Sequence, residues 1–199
     1  MSSKRKNSKS DLIRLSLTLF GITSVVALLL AFANGITAPI IEQSKVERLN
    51  YSLNKIVPDA SEFEIVGNNP ESVVVGNATV PVLAVYSAKT KDNSLWGYCV
   101  QVAPMGYSDK IEMLVAVDLE GTVRGVRIIS ISDTPGVGLK VQTDEDFQNK
   151  VLGLNETMTP VKTAPQSDGE VQVISGASVS STAYIHGVNA AIEVVHGLI

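Results

Sequence analysis

Cys99 is the only cysteine in the chain, so the protein has no internal disulfide, no cysteine-built zinc site and no iron–sulfur cluster, each of which needs several thiols. If the protein handles electrons, an organic cofactor has to carry them. Within LWGYCVQVA, Cys99 itself reads as a small buried hydrophobe in a strand. Histidine is almost as scarce, with only His186 and His196. His186 lies eight positions beyond Ser178, about 12 Å along a helix at ~1.5 Å per residue, too far for a base to reach that hydroxyl. Gly-x-Ser-x-Gly is also missing. These absences argue against a serine hydrolase, and no catalytic or metal-binding residue is expected.

Positive charge is missing from most of the chain. Residues 1–14 hold Lys4, Arg5, Lys6, Lys9 and Arg14 against Asp11, a net of +4, while the whole chain carries −4, which leaves −8 on the remainder. An acidic body is a poor match for nucleic acid, whose affinity rests on neutralised phosphates. Charge of either sign is missing from Leu15 to Ile41. At ~1.5 Å per residue that stretch reaches about 40 Å as a helix, enough to cross a hydrocarbon core of ~30 Å. Ala31-Phe32-Ala33 imitates a signal-peptide cleavage site, but the apolar stretch exceeds a usual h-region and favours an uncleaved anchor. The basic flank places the N-terminus in the cytoplasm and the acidic body on the outer face of the cytoplasmic membrane. Gly21, Thr23, Ser24 and Asn34 suggest a helix face packed on other helices.

At 199 residues the chain has room for one domain and an appendage. The expected division is a basic tail at 1–14, a transmembrane anchor at 15–41 and an extracytoplasmic domain at 42–199. Val46, Leu49, Leu53 and Ile56 fall at helical spacing before Pro58 and predict a juxtamembrane helix. Strand-like runs follow: FEIV, SVVV, PVLAVYSA, LWGYCVQVA, IEMLVAVD and TVRGVRIISIS, with a turn at Asp118-Leu119-Glu120-Gly121. A short helix (DEDFQNKVLG) and the strand VQVI come next. A final helix from about Ser178 to Val195 is expected to bury Val179, Ala183, Val188, Ile192 and Val195. The fold class is α+β, a mostly antiparallel sheet with segregated helices.

Three stretches carry the chemistry. In VISGASVSS a β-branched run gives way to Gly176 and Ala177, flanked by the hydroxyls of Ser175, Ser178, Ser180 and Ser181. Small residues admit another group close to the backbone, and a helix start suits a phosphate. Serine is also a preferred helix cap, so on these residues alone the cluster is either a cap or an anion site. In SISDTPGVGLK, Pro135, Gly136 and Gly138 build a tight loop able to present Thr134 to a ligand or simply to turn the chain. In WGYCVQVAPMGYSDKIEM, Trp96, Tyr98 and Tyr107 are either core or the border of a planar ligand.

Taken in order, the anchor, GYCVQVAPMGYSDKI, DTPGVG and SGASVSS resemble the FMN-binding subunits of bacterial membrane electron-transport complexes. The stretches are similar to the G subunit of the Rnf complex, with the C subunit of the sodium-pumping NADH:quinone reductase as a cousin. The resemblance implies FMN joined through its phosphate, by a flavin transferase, to the last residue of Ser-Gly-Ala-Thr/Ser, here Ser178. It further implies that Ser175, Gly176, Ala177, Ser180, Ser181, Asp133, Thr134, Pro135, Gly136, Gly138 and Tyr107 surround the cofactor. The implied role is electron relay within an ion-translocating ferredoxin:NAD⁺ oxidoreductase. Its partners would be membrane and peripheral subunits, including a second membrane flavoprotein. The C subunit of a quinone reductase, or an anchoring protein of the same fold without flavin, is the alternative. An acidic residue usually stands three places before the first Ser of the motif. Here Gln172 holds that place, and Glu170 lies on the same face of an extended strand. In the other loop Asp133 stands for the usual Glu and Val137 for the usual Leu.

Overall fold

Short β-branched runs joined by tight turns pair with their neighbours in sequence, and here they form an antiparallel sheet. The computed structural model describes residues 4–67 and 70–199. Its chain divides into two compact units, Met1–Glu47 and Arg48–Ile199. The second unit holds six strands in one sheet: β1 (Ala60–Ile65), β2 (Ser72–Val75), β3 (Ala78–Thr90), β4 (Leu95–Val102), β5 (Glu112–Asp118) and β6 (Val123–Ser130). Their order is β1-β3-β4-β5-β6, and β2 shares the β1 edge by pairing with Ala78–Pro81 of the long β3. The β5–β6 turn is held by Asp118, whose carboxylate accepts the amides of Glu120 and Thr122, both at 2.9 Å, and pairs with Arg124.

Helix α1 spans Lys4–Ile56, α2 Lys140–Thr143, α3 Glu145–Asn149 and α4 Ser178–His196. The apolar part of α1 is long and apolar enough to cross a membrane. The sequence predicts an anchor and a juxtamembrane helix leading into the domain, and α1 runs through both stretches.

Both faces of the sheet are covered, which is why β5 reads as an unbroken apolar run. Met113, Val115 and Val117 point to one face, where they pack with Ala183, Tyr184, Val188 and Ile192 of α4 and Phe147 of α3. Leu114 and Ala116 point to the other, with Cys99, Tyr86 and Ala88, and are covered by Leu53 in the last turn of α1 and Val57 just after it. A register shift between Val82 and Ala84 lets Val82 and Val85 share the α4 face despite their odd spacing.

Two expectations change. The strand expected at VQVI is present but shorter: Val171 and Gln172 fall in β8 (Glu170–Gln172), which pairs in parallel with β7 (Thr159–Val161) in a separate two-stranded sheet, and Val173 and Ile174 lie beyond it; β7 carries no periodic signal. Val179 is 51% exposed instead of buried: it faces a cleft, while Ser180 and Ser181 take the buried side of the same turn.

Candidate functional site

The serine cluster does not cap α4. The residue before the helix is Ala177, and no side chain accepts a hydrogen bond from its first amides. The hydroxyls have other employment. Ser181 is fully buried, donates to the Ala177 carbonyl at 2.9 Å and accepts the Ile174 amide at 3.1 Å. Ser180 is buried and donates to Asp133 at 2.6 Å. Ser175 is exposed and Ser178 half-buried, and neither hydroxyl makes a hydrogen bond among the described residues. Gly176 sits between them at φ +80°, a left-handed conformation that glycine adopts without strain, and this turns the chain from β8 into α4.

Asp133 ties three segments together. Its carboxylate also accepts the Ser108 amide at 2.8 Å and the Tyr107 amide at 3.4 Å. Burial pushes this carboxyl up, but hydrogen bonds from Ser108, Ser180, Tyr107 and Asp109 outweigh it and hold the group below the usual carboxylate range. The loop from Gly106, the loop from Thr134 and the start of α4 are thereby fixed side by side. Gly138 is part of the same lock: a Cβ there would lie 2.5 Å from the Asp133 Cβ and 2.9 Å from the Ser180 hydroxyl.

Two clefts open from this arrangement, and Ser178 lines both. One, of about 460 Å³, is walled by Tyr107, Thr134, Val137, Gly138, Ala177 and Val179. The other, of about 510 Å³, carries Lys150, Lys162, Asp144, Asp146, Gln172 and Ser175. The first is small-residue and apolar, with one flat side chain and hydroxyls at its edges, and its volume is that of ordinary ligand sites. Tyr107 is 70% exposed there, leaving its ring face free to stack. A planar ring with a phosphate tail fits this donor set: apolar walls for the ring and an unbonded hydroxyl beside open helix amides for the phosphate.

Of the residues singled out in the sequence, Tyr107, Thr134, Gly138, Gly176, Ala177, Ser178 and Ser180 line the apolar cleft. Ser175 lies in the polar one. Asp133 and Ser181 stand behind the walls as internal hydrogen-bonding groups. Pro135 and Gly136 are exposed in the loop between Thr134 and Val137. Trp96 and Tyr98 pack against the two apolar cores instead. Gln172 faces the polar cleft. Glu170 does not line it, because its carboxylate accepts the Gln166 amide at 2.8 Å. Lys150, Lys162 and Asp146 were not legible as site residues; nothing in their local sequence separates them from solvated charge. His186 is half-buried with its pKa pulled down by burial, and His196 is exposed; both lie on α4 two or more turns beyond Ser178.

The fold and clefts define a cofactor-binding α+β domain carried by a chain with one apolar helix. The FMN-binding domain family matches residues 106–193, the stretch that contains both clefts. The chain is 30% identical to the G subunit of the Na⁺-translocating ferredoxin:NAD⁺ oxidoreductase complex of Acetobacterium woodii, over 93% of this chain and 92% of that relative. It is 26% identical to the G subunit of the ion-translocating oxidoreductase complex of Methanosarcina acetivorans, over 95% and 97% of the two chains. With the G subunit of the proton-translocating ferredoxin:NAD⁺ oxidoreductase complex of Clostridium ljungdahlii it shares 28% identity, over 86% and 84%. Among solved structures, the C subunit of the Na⁺-translocating NADH-quinone reductase from Parabacteroides distasonis superposes with a TM-score of 0.48 at 21% identity, covering 67% of this chain and 75% of that one. Shewanella oneidensis NqrC gives 0.44 at 16%, covering 66% and 65%. The chain belongs to the G-subunit family of ion-translocating (Rnf-type) oxidoreductase complexes.

Proposed function

We propose that this protein relays electrons within an ion-translocating ferredoxin:NAD⁺ oxidoreductase complex through FMN esterified to Ser178. A single span holds it in the cytoplasmic membrane, with its N-terminus in the cytoplasm and its domain on the outer face. The observation that carries the reading is the division of labour among four serines. Ser180 and Ser181 are buried and committed to internal hydrogen bonds. Of the two unbonded hydroxyls, only that of Ser178 belongs to both clefts.

In the attachment step the Ser178 oxygen forms a bond to the FMN phosphorus while the phosphoanhydride bond of an activated FMN donor breaks, and the donor's second phosphate departs with the bond electrons as the leaving group. The serine proton leaves to a base of the flavin transferase. Outside the cytoplasm free flavin is scarce, and a covalent link removes the dependence of occupancy on ligand concentration. Bound there, FMN supplies electron transfer at its ring. The chain's own residues set its position: Tyr107, Val137 and Val179 exclude water from one side, Thr134 offers a hydroxyl at the rim, and Asp133 keeps the walls in place. The neighbouring membrane and peripheral subunits, a second membrane flavoprotein among them, would donate and accept the electrons.

Intact-mass spectrometry tests the attachment. Ser178→Ala should lose the FMN mass while remaining folded and membrane-bound, and Ser175→Ala should keep it. An FMN-bearing peptide persisting in Ser178→Ala would overturn the assignment.

A further inference from the structure

The polar cleft has no task in the reading above, yet it begins at the same serine. A phosphodiester at Ser178 carries one negative charge, and the apolar cleft offers it no cationic side chain. Lys150 and Lys162 line the opposite side of Ser178, and neither has an ion pair among the described residues. Asp144 and Asp146 line the same cleft, but neither pairs with these lysines among the described residues. Asp144 accepts the Phe147 amide at 2.9 Å as the cap of α3, and Asp146 is exposed in the first turn of that helix. A lysine ammonium is a compact charge on a flexible four-carbon stem, so both can turn to a phosphate bonded between them.

We propose that Lys150 and Lys162 form the phosphate subsite of this domain: they neutralise the phosphodiester at Ser178 from the polar cleft while the ring lies in the apolar one. The proposal rests on the reading that FMN is esterified at Ser178. It assigns the two clefts complementary roles, one for the ring and one for the charge, and makes both lysines positioning residues.

The test uses the full-length protein loaded with flavin in its native host and purified in detergent. Intact mass reports whether FMN is attached, and phosphorus-31 NMR reads the surroundings of the phosphodiester at low and high salt. In Lys150→Gln/Lys162→Gln the resonance should move away from the native position. Raising salt should move the native resonance toward it, and Lys150→Arg/Lys162→Arg should stay near native. Circular dichroism checks that the fold is kept, as expected for two side chains at the cleft surface. FMN absent from the Gln pair but present in the Arg pair also supports the proposal, since charge is then the requirement. An unshifted resonance in loaded Gln protein, or loss of FMN from both pairs, overturns the subsite alone. Native protein without FMN mass overturns the underlying reading together with it.

Discussion

The Ser180 hydroxyl donates to the Asp133 carboxylate at 2.6 Å, joining two buried residues 47 positions apart and closing the wall of the apolar cleft. A hydrogen bond to a charged group contributes about 1.5–3 kcal/mol. Ser180→Ala should lower unfolding stability by that order in a denaturant titration. Gly138→Ala should act in the same direction by forcing the pair apart. The carboxyl of Asp133 is held below its ordinary range, so its contribution to stability is complete above the unfolded pKa of ~3.9 and is lost as pH falls through the folded value. Native protein should therefore lose stability below about pH 4 more steeply than Asp133→Asn. Parallel acid limbs would contradict this.

Thr134 lies at the rim of the apolar cleft, and its hydroxyl makes no hydrogen bond among the described residues. A hydrogen bond to the flavin that strengthens on reduction, contributing about 0.5–1.5 kcal/mol, corresponds to roughly 20–65 mV for a one-electron step. Thr134→Val should keep the FMN mass and move the midpoint potential by that order. An unmoved potential in a redox titration would leave the loop a turn only.

Tyr184 places its hydroxyl in the core with no partner among the described residues, beside Phe147 at a ring-centroid distance of 5.3 Å. Burial pushes its pKa up, so the group stays neutral. Removing an unsatisfied buried hydroxyl returns its desolvation cost, on the order of 1 kcal/mol. Tyr184→Phe should be neutral or stabilising in thermal unfolding, and a clear destabilisation would reveal a partner for that oxygen.

Cys99 is fully buried and its thiol is pushed up to about 12 by burial, so it should stay silent to maleimides in the folded protein. Orientation can then be read with introduced cysteines. Asp92→Cys, in the exposed β3–β4 turn, should react with an impermeant maleimide in spheroplasts, and Ser8→Cys only after permeabilisation. The reverse pattern would place the domain in the cytoplasm.

The six strands of the sheet were legible because β-branched runs bounded by turn residues have few other solutions; α4 was legible because its apolar residues recur at helical spacing. The strand β7 was not: Thr159-Pro160-Val161 is too short for a period, and only its parallel contact with β8 defines it. Val179 has the composition of a core residue and the position of a cleft residue, a distinction made by Ser180 and Ser181, which take the buried side of that turn. In the site, the small residues of SGASVSS marked a close approach, but which serine is free and which is spent depends on Asp133 and on the Ala177 and Ile174 backbone. The partner of Ser180 lies far away in sequence, so no local pattern could show it.

The end of α1 has a second duty beyond linking anchor to domain. Leu53 and Val57 close the core formed by Cys99, Leu114 and Ala116. During synthesis these residues emerge before any strand exists, and they wait for β3, β4 and β5 before their apolar surface is covered. Maturation of the domain is thus tied to a segment contiguous with the membrane helix. A soluble fragment cut at Pro58 would lack one wall of its own interior, whereas one beginning at Arg48 would carry it.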